Sequence, residues 1–272
     1  MQANGHLISS EQPTHLHEAC MGFSPISLAE MDRVKLLDRF DRKFVLPLNN
    51  LPEILSAASI HYQILMIDEH RIFDYRTQYY DTPGFRMYLN HHNRKLNRYK
   101  VRKREYLTTG EVFFEIKFKS NKGRTRKKRI LIDRPDSKLR KAEKKFLKKN
   151  SSYLRKDLEP KVLNHFSRIT LVGKASAERV TIDMDLKYQL NGSSVNLPTL
   201  AIIEIKQGRS SGISKLERIL RERNITPFKI SKYCIGSVLL DKDLKYNRFK
   251  NKIITLNKLT NDSRLASVFV GP

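Results

Sequence analysis

Cationic side chains alternate with other residues along three neighbouring stretches of the sequence. In Arg98–Arg104 every even-numbered residue is basic, and Val112–Lys119 and Thr125–Ile130 also place Lys or Arg at alternate positions. Because successive side chains of a β-strand point to opposite faces, each stretch predicts a strand with one cationic face. Such a face can bind several phosphate groups, since Arg and Lys donate charge-assisted hydrogen bonds to phosphate oxygens.

Two carboxylates share this alternating pattern. Glu115 lies two residues before Lys117, and Ala201–Lys206 repeats the arrangement with Glu204 and Lys206. A carboxylate in this setting is either an ion-pair partner of the cations or a metal ligand. Like charges opposite one another destabilise a sheet. We therefore favour a face that meets a polyanion over a merely solvated face.

The overall charge is strongly positive. The 272 residues include 53 Lys and Arg against 28 Asp and Glu, a formal net charge of +25. This excess indicates an anionic partner, which could be nucleic acid, a phosphate compound or a lipid surface. Nucleic acid is not expected, because aromatic residues do not interleave with the cations as a stacking platform requires, and no helix-turn-helix or zinc-finger spacing occurs.

Cysteine usage and hydropathy bear on location. Cys20 and Cys234 lie far apart without a CxxC spacing, so the sequence predicts neither a disulfide framework nor a zinc site, and a reducing cytoplasmic location is expected. No apolar run approaches the length that crosses a bilayer, so we expect no transmembrane segment. Peripheral attachment to an anionic membrane through surface charge stays open.

Further strands and helices flank the basic stretches. Strands are predicted at Phe40–Leu46, Tyr62–Ile67, Phe73–Tyr80, His165–Leu171, Glu178–Asp185 and Ala201–Lys206, with a marginal strand at Ile253–Leu256. Helices are predicted at Ser27–Leu37, Leu51–Ala58, Phe85–Asn90, Asp136–Lys149, Ser214–Arg223 and Ile230–Leu240, with Ser231 as the N-cap of the last one. Lys232 follows that cap, where a cation is unfavourable beside the helix dipole unless an anion is close.

This pattern predicts an α+β fold. Strands with one charged and one apolar face fit an antiparallel β-barrel tunnel of about eight strands, with a polar, cationic lumen and helices packed outside. Cations crowded into such a lumen repel one another unless a polyanion is bound. The expected ligand therefore carries several phosphates in a row.

A set of short motifs runs in order between about Arg33 and Leu240. The motifs are Asp41–Phe44, Tyr80–Thr82, Asn97–Tyr106, Phe114–Lys117, Lys122–Lys127, Arg168, Glu178–Asp183, Glu204–Lys206 and Ser231–Tyr233. Each motif alone occurs widely by chance, but the ordered set is specific. It resembles the VTC-type polyphosphate polymerase domain of the triphosphate tunnel metalloenzymes.

The resemblance implies a metal-dependent transfer of the terminal phosphate of ATP to a growing inorganic polyphosphate chain. By position, Arg102 and Arg104 resemble the arginine pair that holds triphosphate oxygens, and Glu204 resembles the carboxylate that binds Mn²⁺ or Mg²⁺. The other implied phosphate-binding residues are Lys43, Lys117, Lys127, Arg168, Arg179 and Lys232. Strand parity adds Arg129 and Lys206 to these cations and Glu115 to the metal-ligand candidates.

The chain departs from hydrolytic relatives in its first strand. Tunnel triphosphatases and related cyclases typically begin with ExExK, whereas Arg39–Lys43 offers the single carboxylate Asp41. Fewer acids mean a more cationic lumen, which favours a polymerase. A tunnel triphosphatase acting on triphosphate or nucleoside triphosphates, and a non-catalytic polyphosphate-binding or polyanion-binding protein, remain the alternatives. No P-loop motif of the GxxxxGK[ST] type occurs.

Three segments are expected along the chain. Residues 1–30 are predicted to be poorly ordered or an adaptor, residues 31–245 to form the tunnel domain, and residues 246–272 to form a basic tail. The sequence leaves open whether the protein works alone or with a membrane-protein partner.

Overall fold

The computed structural model of the chain describes residues 12–33, 39–208 and 212–261. These residues form two compact units. The first unit takes the described residues up to Arg71, those in Ile169–Ile182 and those in Ala201–Phe228, and the second unit takes Ile72–Arg168, Asp183–Leu200 and the described residues from Lys229 onward. The end of the predicted helix at Ser27–Leu37 lies outside the described residues.

The elements are given in chain order. The helices are α1 (Gln12–Met21), α2 (Leu28–Arg33), α3 (Leu51–Ala58), α4 (Arg86–His92), α5 (Lys141–Asn150), α6 (Lys215–Glu222), α7 (Lys232–Leu240) and α8 (Lys250–Thr260). The strands are β1 (Ser24–Ile26), β2 (Arg39–Pro47), β3 (Tyr62–Leu65), β4 (Phe73–Asp81), β5 (Arg98–Tyr106), β6 (Val112–Lys119), β7 (Thr125–Ile132), β8 (Glu159–Gly173), β9 (Glu178–Leu190), β10 (Ser193–Leu197) and β11 (Leu200–Gly208). Strands β8 and β9 each contribute residues to both units.

The strands form one large, mainly antiparallel sheet. Its order is β2-β11-β9-β8-β4-β5-β6-β7, with β1, β3 and β10 paired beside this series, and β1 runs parallel to β3. The predicted α+β class and antiparallel sheet are therefore confirmed. The described sheet has eleven strands instead of about eight, and its series of strands has two ends.

In the second unit the apolar face of β5, β6 and β7 forms a core. Val101, Phe114, Ile116 and Ile132 are buried on this face and cluster with Leu147 of α5. The alternation seen in the sequence accounts for this arrangement, because Arg102, Lys117 and Lys127 of the same strands have the opposite parity. The core thereby holds the cationic side chains on a rigid sheet.

Strands β1 and β10 are not among the strands predicted from the sequence. Strand β1 has only three residues and includes Pro25, which weakens a strand signal. Strand β10 forms a hairpin with β9 across Asn191 and Gly192, which both have positive φ angles. An Asn-Gly pair between two strands is a strong hairpin signal, so β10 could have been predicted.

The described part of the N-terminal segment contains helix α1 and strand β1. Cys20 and Phe23 are buried in the first unit. The guanidinium of Arg71 donates to the carbonyl oxygens of Cys20 at 2.7 Å and Phe23 at 2.9 Å. These bonds attach the segment from α1 to β1 to the unit.

The marginal strand predicted at Ile253–Leu256 is wrong, because this segment lies within helix α8. Ile253 and Leu256 are buried three residues apart, which is a helical spacing. The β-branched residues of the run gave a misleading strand signal. In contrast, the predicted cap of α7 is confirmed, since the Ser231 hydroxyl accepts a hydrogen bond from the amide of Cys234.

Among residues 12–33, 39–208 and 212–261, none of the helices combines the length and the hydropathy needed to span a bilayer.

Candidate functional site

The second unit presents a cationic face, which we define by Arg102, Arg104, Lys117, Lys127 and Arg168 and the side chains on the same side of their strands. In the register of β4 to β7, Tyr79 lies opposite Arg102, Arg102 opposite Glu115, and Glu115 opposite Arg129. Two residues further along the strands, Lys100, Lys117 and Lys127 lie directly opposite one another on β5, β6 and β7. The predicted parity thus places these cations on one surface.

Glu115 is the counter-ion at the centre of this face. The residue is 1% exposed, and its carboxylate accepts a hydrogen bond of 2.6 Å from Arg102 Nε and forms an ion pair of 2.6 Å with Arg102 Nη2. Lys127 forms an ion pair with the other oxygen. Burial alone would raise the pKa of Glu115, but Arg102, Arg104 and Lys127 outweigh it and hold the pKa well below its usual range. Glu115 therefore carries its negative charge at every ordinary pH.

For Lys127, burial has the largest effect on the pKa and outweighs the attraction of Glu115. Burial lowers the pKa of Lys127 to about 8, although the neighbouring Glu115 carboxylate favours the charged form. Its side chain is 39% exposed, so an anion can approach it from solvent. The charge of Lys127 therefore changes close to physiological pH.

Arg104 and Arg168 share an aromatic support. Tyr75 and Phe166 stack at 5.2 Å between ring centroids. The Arg104 guanidinium lies 5.8 Å from both rings and the Arg168 guanidinium 5.0 and 5.1 Å from them, distances at which cations and aromatic faces attract. Burial lowers the pKa of Arg104, and the charge of Arg102 lowers it further.

A second buried carboxylate, Asp183 of β9, serves Arg168 and Lys232. The Arg168 Nη2 atom donates to Asp183 at 2.9 Å, and Lys232 forms an ion pair with the same carboxylate. Burial would raise the pKa of Asp183, but these two cations hold it well below its usual range. Lys232 thus finds the anion that its place in the first turn of α7 requires, and here this anion is a side chain of the protein.

The remaining second-unit candidates are more open. Lys117 is exposed, and the exposed Arg129 lies with its guanidinium 4.2 Å from the ring of Phe113. Lys100 was not among the predicted site residues, yet its Nζ atom donates to the Ser231 hydroxyl at 2.9 Å. This bond connects the basic strand β5 to the start of α7.

The first unit holds its own ion-pair group. Glu204 of β11 accepts from Lys43 Nζ at 3.1 Å and lies 3.8 Å from Lys206 Nζ. The predicted residues Lys43, Glu204 and Lys206 are thus neighbours. The predicted Arg179 also belongs to this unit, where its Nη2 atom donates to the carbonyl oxygen of Met31 at 2.7 Å.

The two metal-ligand candidates differ in their fit. Across residues 12–33, 39–208 and 212–261, no three side chains of His, Cys, Asp or Glu are grouped closely enough to enclose a metal ion. A metal at Glu115 would face Arg102 and Lys127 at contact distance, so Glu115 fits a counter-ion and not a ligand. Glu204 also contacts the lysines Lys43 and Lys206, but its side chain is 16% exposed. A Mg²⁺ or Mn²⁺ ion there could take its other ligands from phosphate oxygens and water, which is a common mode for Mg²⁺.

The sequence-based site residues omit Asp183 and Lys103. Asp183 shares a strand face with Arg179 and Thr181, so its parity was a usable signal. Lys103 was hidden inside the basic run of β5, although its odd number places it on the apolar side. Parity alone does not reveal that Lys103 finds an acid there.

Several solved structures have partial similarity to the chain. A candidate adenylate cyclase from Vibrio parahaemolyticus shares 12% identity, with 73% of this chain and 99% of that chain covered and a TM-score of 0.44. One from Bacillus halodurans shares 15%, with 71% and 94% covered and a TM-score of 0.43. A candidate adenylyl cyclase from Hippeastrum, described as having a dominant triphosphatase activity, shares 14%, with 74% and 95% covered and a TM-score of 0.45. Similarities at this level support no conclusion about this chain.

Sequence comparison gives a clearer result. A search of curated proteins finds no significant match. The family model described as the VTC domain matches residues 38–241. This range includes both carboxylate clusters of the cationic face and the Lys43–Glu204 group. Since the match spans most of the 272 residues, the chain belongs to the VTC domain family.

Proposed function

We propose that this protein transfers the terminal phosphate of ATP to a growing chain of inorganic polyphosphate. One observation carries the proposal: on the cationic face, positive side chains outnumber carboxylates, and Glu115 and Asp183 are buried beneath the cations. The face therefore retains a large excess of positive charge next to solvent. A linear polyanion with closely spaced charges is the ligand that such a face fits.

The reaction asks for alignment and charge stabilisation. A terminal oxygen of the polyphosphate attacks the γ-phosphorus of ATP, the new P–O bond forms, and the bond to the bridging oxygen breaks so that ADP leaves. Arg102 and Arg104 can each engage two phosphate oxygens through the guanidinium fork, which suits the spread charge of phosphoryl transfer. No covalent nucleophile is needed.

The carboxylates have a supporting part in this proposal. Glu115 holds Arg102 and Lys127, and Asp183 holds Arg168 and Lys232, so the cations are already oriented before substrate arrives. Such preorganisation lowers the cost of stabilising charge in the transition state. In the first unit, a divalent metal held at Glu204 would supply positive charge to phosphate oxygens.

The first strand favours synthesis over hydrolysis. Between Phe40 and Lys43 the acidic residue is Asp41, which is exposed. A first strand with one acid lacks the second carboxylate of the ExExK strand of hydrolytic relatives, and so lacks the extra metal ligand that this carboxylate provides. Retention of a long polyanion is then favoured over release of free phosphate.

Incubation of the purified chain with ATP and Mn²⁺, followed by gel analysis of polyphosphate length, tests the proposal. Long chains are expected from the wild type. Arg102→Ala should lower the rate by about tenfold to a hundredfold, the effect of losing charged hydrogen bonds to phosphate, whereas Arg126→Ala, an exposed cation of opposite parity on β7, should leave it unchanged.

Two outcomes would overturn polymerase activity. Free phosphate or cleaved tripolyphosphate without chain growth would assign the protein as a tunnel triphosphatase. Saturable polyphosphate binding without any turnover of ATP would assign it as a binding protein. Glu204→Gln separates the roles in an active enzyme, since turnover should fall while polyphosphate binding persists.

A further inference from the structure

A pocket of about 600 Å³ lies in the second unit behind strand β5. Tyr99 of β5 lines it, and its side chain points away from the face that Lys100 and Arg102 share. The other walls come from the start of α4, the turn before β5 and the segment after α5. The polar and aromatic residues that line the pocket include Arg86, Asn90, Asn97, Tyr99, Ser152 and Tyr153.

Hydrogen bonds fix the walls of this pocket. Lys161 Nζ donates to the carbonyl oxygen of Pro83 at 3.0 Å, and the amide of Asn121 donates to Asn97 Oδ1 at 2.9 Å. On the far wall, the amide of Leu154 donates to the Asp157 carboxylate at 2.6 Å. The pocket is therefore preformed, as small-molecule sites usually are.

Several polar groups of the lining are not used within the protein. Among the described residues, no hydrogen-bond partner is found for the side chains of Arg86, Asn90 and Ser152 or for the hydroxyls of Tyr99 and Tyr153. Arg86 and Ser152 are exposed, and Asn90, Tyr99 and Tyr153 are half-buried, so these groups are open to a polar ligand from solvent. Burial raises the pKa of Tyr153 despite the opposing charge of Arg86, so its hydroxyl stays protonated and can donate.

The two tyrosines add an apolar wall. Tyr99 and Tyr153 meet edge to face with centroids 5.8 Å apart, and both rings pack against the buried core. Their inner edges are thus fixed while their hydroxyl ends remain available. Such rings commonly support the less polar face of a sugar or a base.

The charge of this pocket differs from that of the cationic face. Arg86 and Asp157 are its charged lining residues, and they balance each other. A long polyphosphate finds no excess of cations here. One arginine suits one phosphate, while Asp157 and the two asparagines suit vicinal hydroxyls, which both donate and accept.

We propose that this pocket binds a sugar-phosphate group, as found in a nucleotide or a phosphorylated sugar, at a site separate from the cationic face. The Arg86 guanidinium binds the phosphate, the amides and Asp157 bind the hydroxyls, and the tyrosine rings lie along the ring of the ligand. This site is independent of the proposed polymerase reaction.

Calorimetric titration of the full chain with AMP, ribose 5-phosphate, glucose 6-phosphate and inorganic phosphate tests the proposal. Saturable binding of at least one sugar phosphate is expected, with inorganic phosphate much weaker. Equal affinity for AMP and ribose 5-phosphate would identify the sugar phosphate as sufficient, and preference for AMP would identify a nucleotide site. A preference for glucose 6-phosphate would identify a hexose phosphate.

Matched variants locate the site. Arg86→Gln should weaken binding by about tenfold or more, as loss of a charged hydrogen bond predicts, and Arg94→Gln, an exposed arginine outside the lining, should not. Arg102→Ala should leave this binding intact. The proposal is overturned if none of the sugar phosphates binds saturably, or if Arg102→Ala abolishes the binding and Arg86→Gln does not.

Discussion

The two faces of strand β5 handle buried charge in opposite ways. On the apolar side, Lys103 is 2% exposed, and its Nζ atom reaches Glu143 at 3.0 Å and the carbonyl oxygens of Asp136 and Lys138 at 2.9 and 2.7 Å. These three acceptors match the three donors of an ammonium group. On the other side, Arg102 shares the single carboxylate of Glu115 with Lys127.

This difference separates a structural charge from a charge that is available to a ligand. Lys103 and Glu143 neutralise each other inside the core, where no ligand can reach. Around Glu115 the cations exceed the carboxylate charge and lie near solvent, so an added polyanion improves the balance. Arg102, Lys103 and Arg104 are consecutive in the sequence. The side of the strand on which each cation lies therefore decides its role.

The largest effect on stability is expected at the core pair. Lys103→Met leaves Glu143 buried without its cation and should lower the free energy of unfolding by about 3–5 kcal/mol, the usual cost of breaking a buried ion pair. Urea unfolding measures the change, with the exposed loop residue Lys122→Met as the control. Adding Glu143→Leu should restore much of the loss. If Lys103→Met is neutral, the pair is not structural.

A smaller effect on stability is expected for changes at Glu115 and Glu143, and the response of the two variants to a ligand should differ. Glu115→Gln and Glu143→Gln should both lower the melting temperature, by several degrees for about 1–3 kcal/mol lost with a hydrogen bond to a charged group. Tripolyphosphate should restore the Glu115→Gln variant, because phosphate replaces the missing anion beside Arg102 and Lys127. It should raise the melting temperature of Glu143→Gln only as much as that of the wild type, because the cationic face of that variant is intact. Equal responses of the two variants would contradict the distinction.

The smallest effect is a pH dependence of binding. Because the pKa of Lys127 lies near 8, raising the pH from about 7 to about 9 removes its charge and should weaken tripolyphosphate binding by roughly threefold to tenfold. Lys127→Arg keeps its charge over this range and should show little dependence. Fluorescence titration at constant ionic strength measures both. A parallel decline in the variant would assign the pH effect to another group.

The sequence predicts the second unit's sheet well because its pattern is regular. Alternating parity correctly separates Arg102 and Lys127 from Val101 and Phe114, and it places Glu115 among the cations. It does not assign partners across the sheet, which depend on register. The sequence therefore does not predict the pairing of Asp183 with Arg168 and Lys232, which the structure shows.

Other features lack a local signal altogether. The ion pair between Lys103 and Glu143 joins a strand to a helix 40 residues later, and nothing near Lys103 indicates an acid. The pocket behind β5 brings Arg86, Tyr99 and Tyr153 together from three segments, so no spacing in the chain predicts it. The motif order allowed the family to be recognised without these details.

The discontinuous make-up of the first unit has a consequence for synthesis. Its last segment, Ala201–Phe228, contributes β11 with Glu204 and helix α6 with the buried Glu217, which binds Arg42 of β2. A ribosome therefore releases most of the chain before this unit can be completed. Domains often fold from the N-terminus onward during synthesis. We expect this unit to fold later, and fragments that end before Phe228 to leave it incomplete.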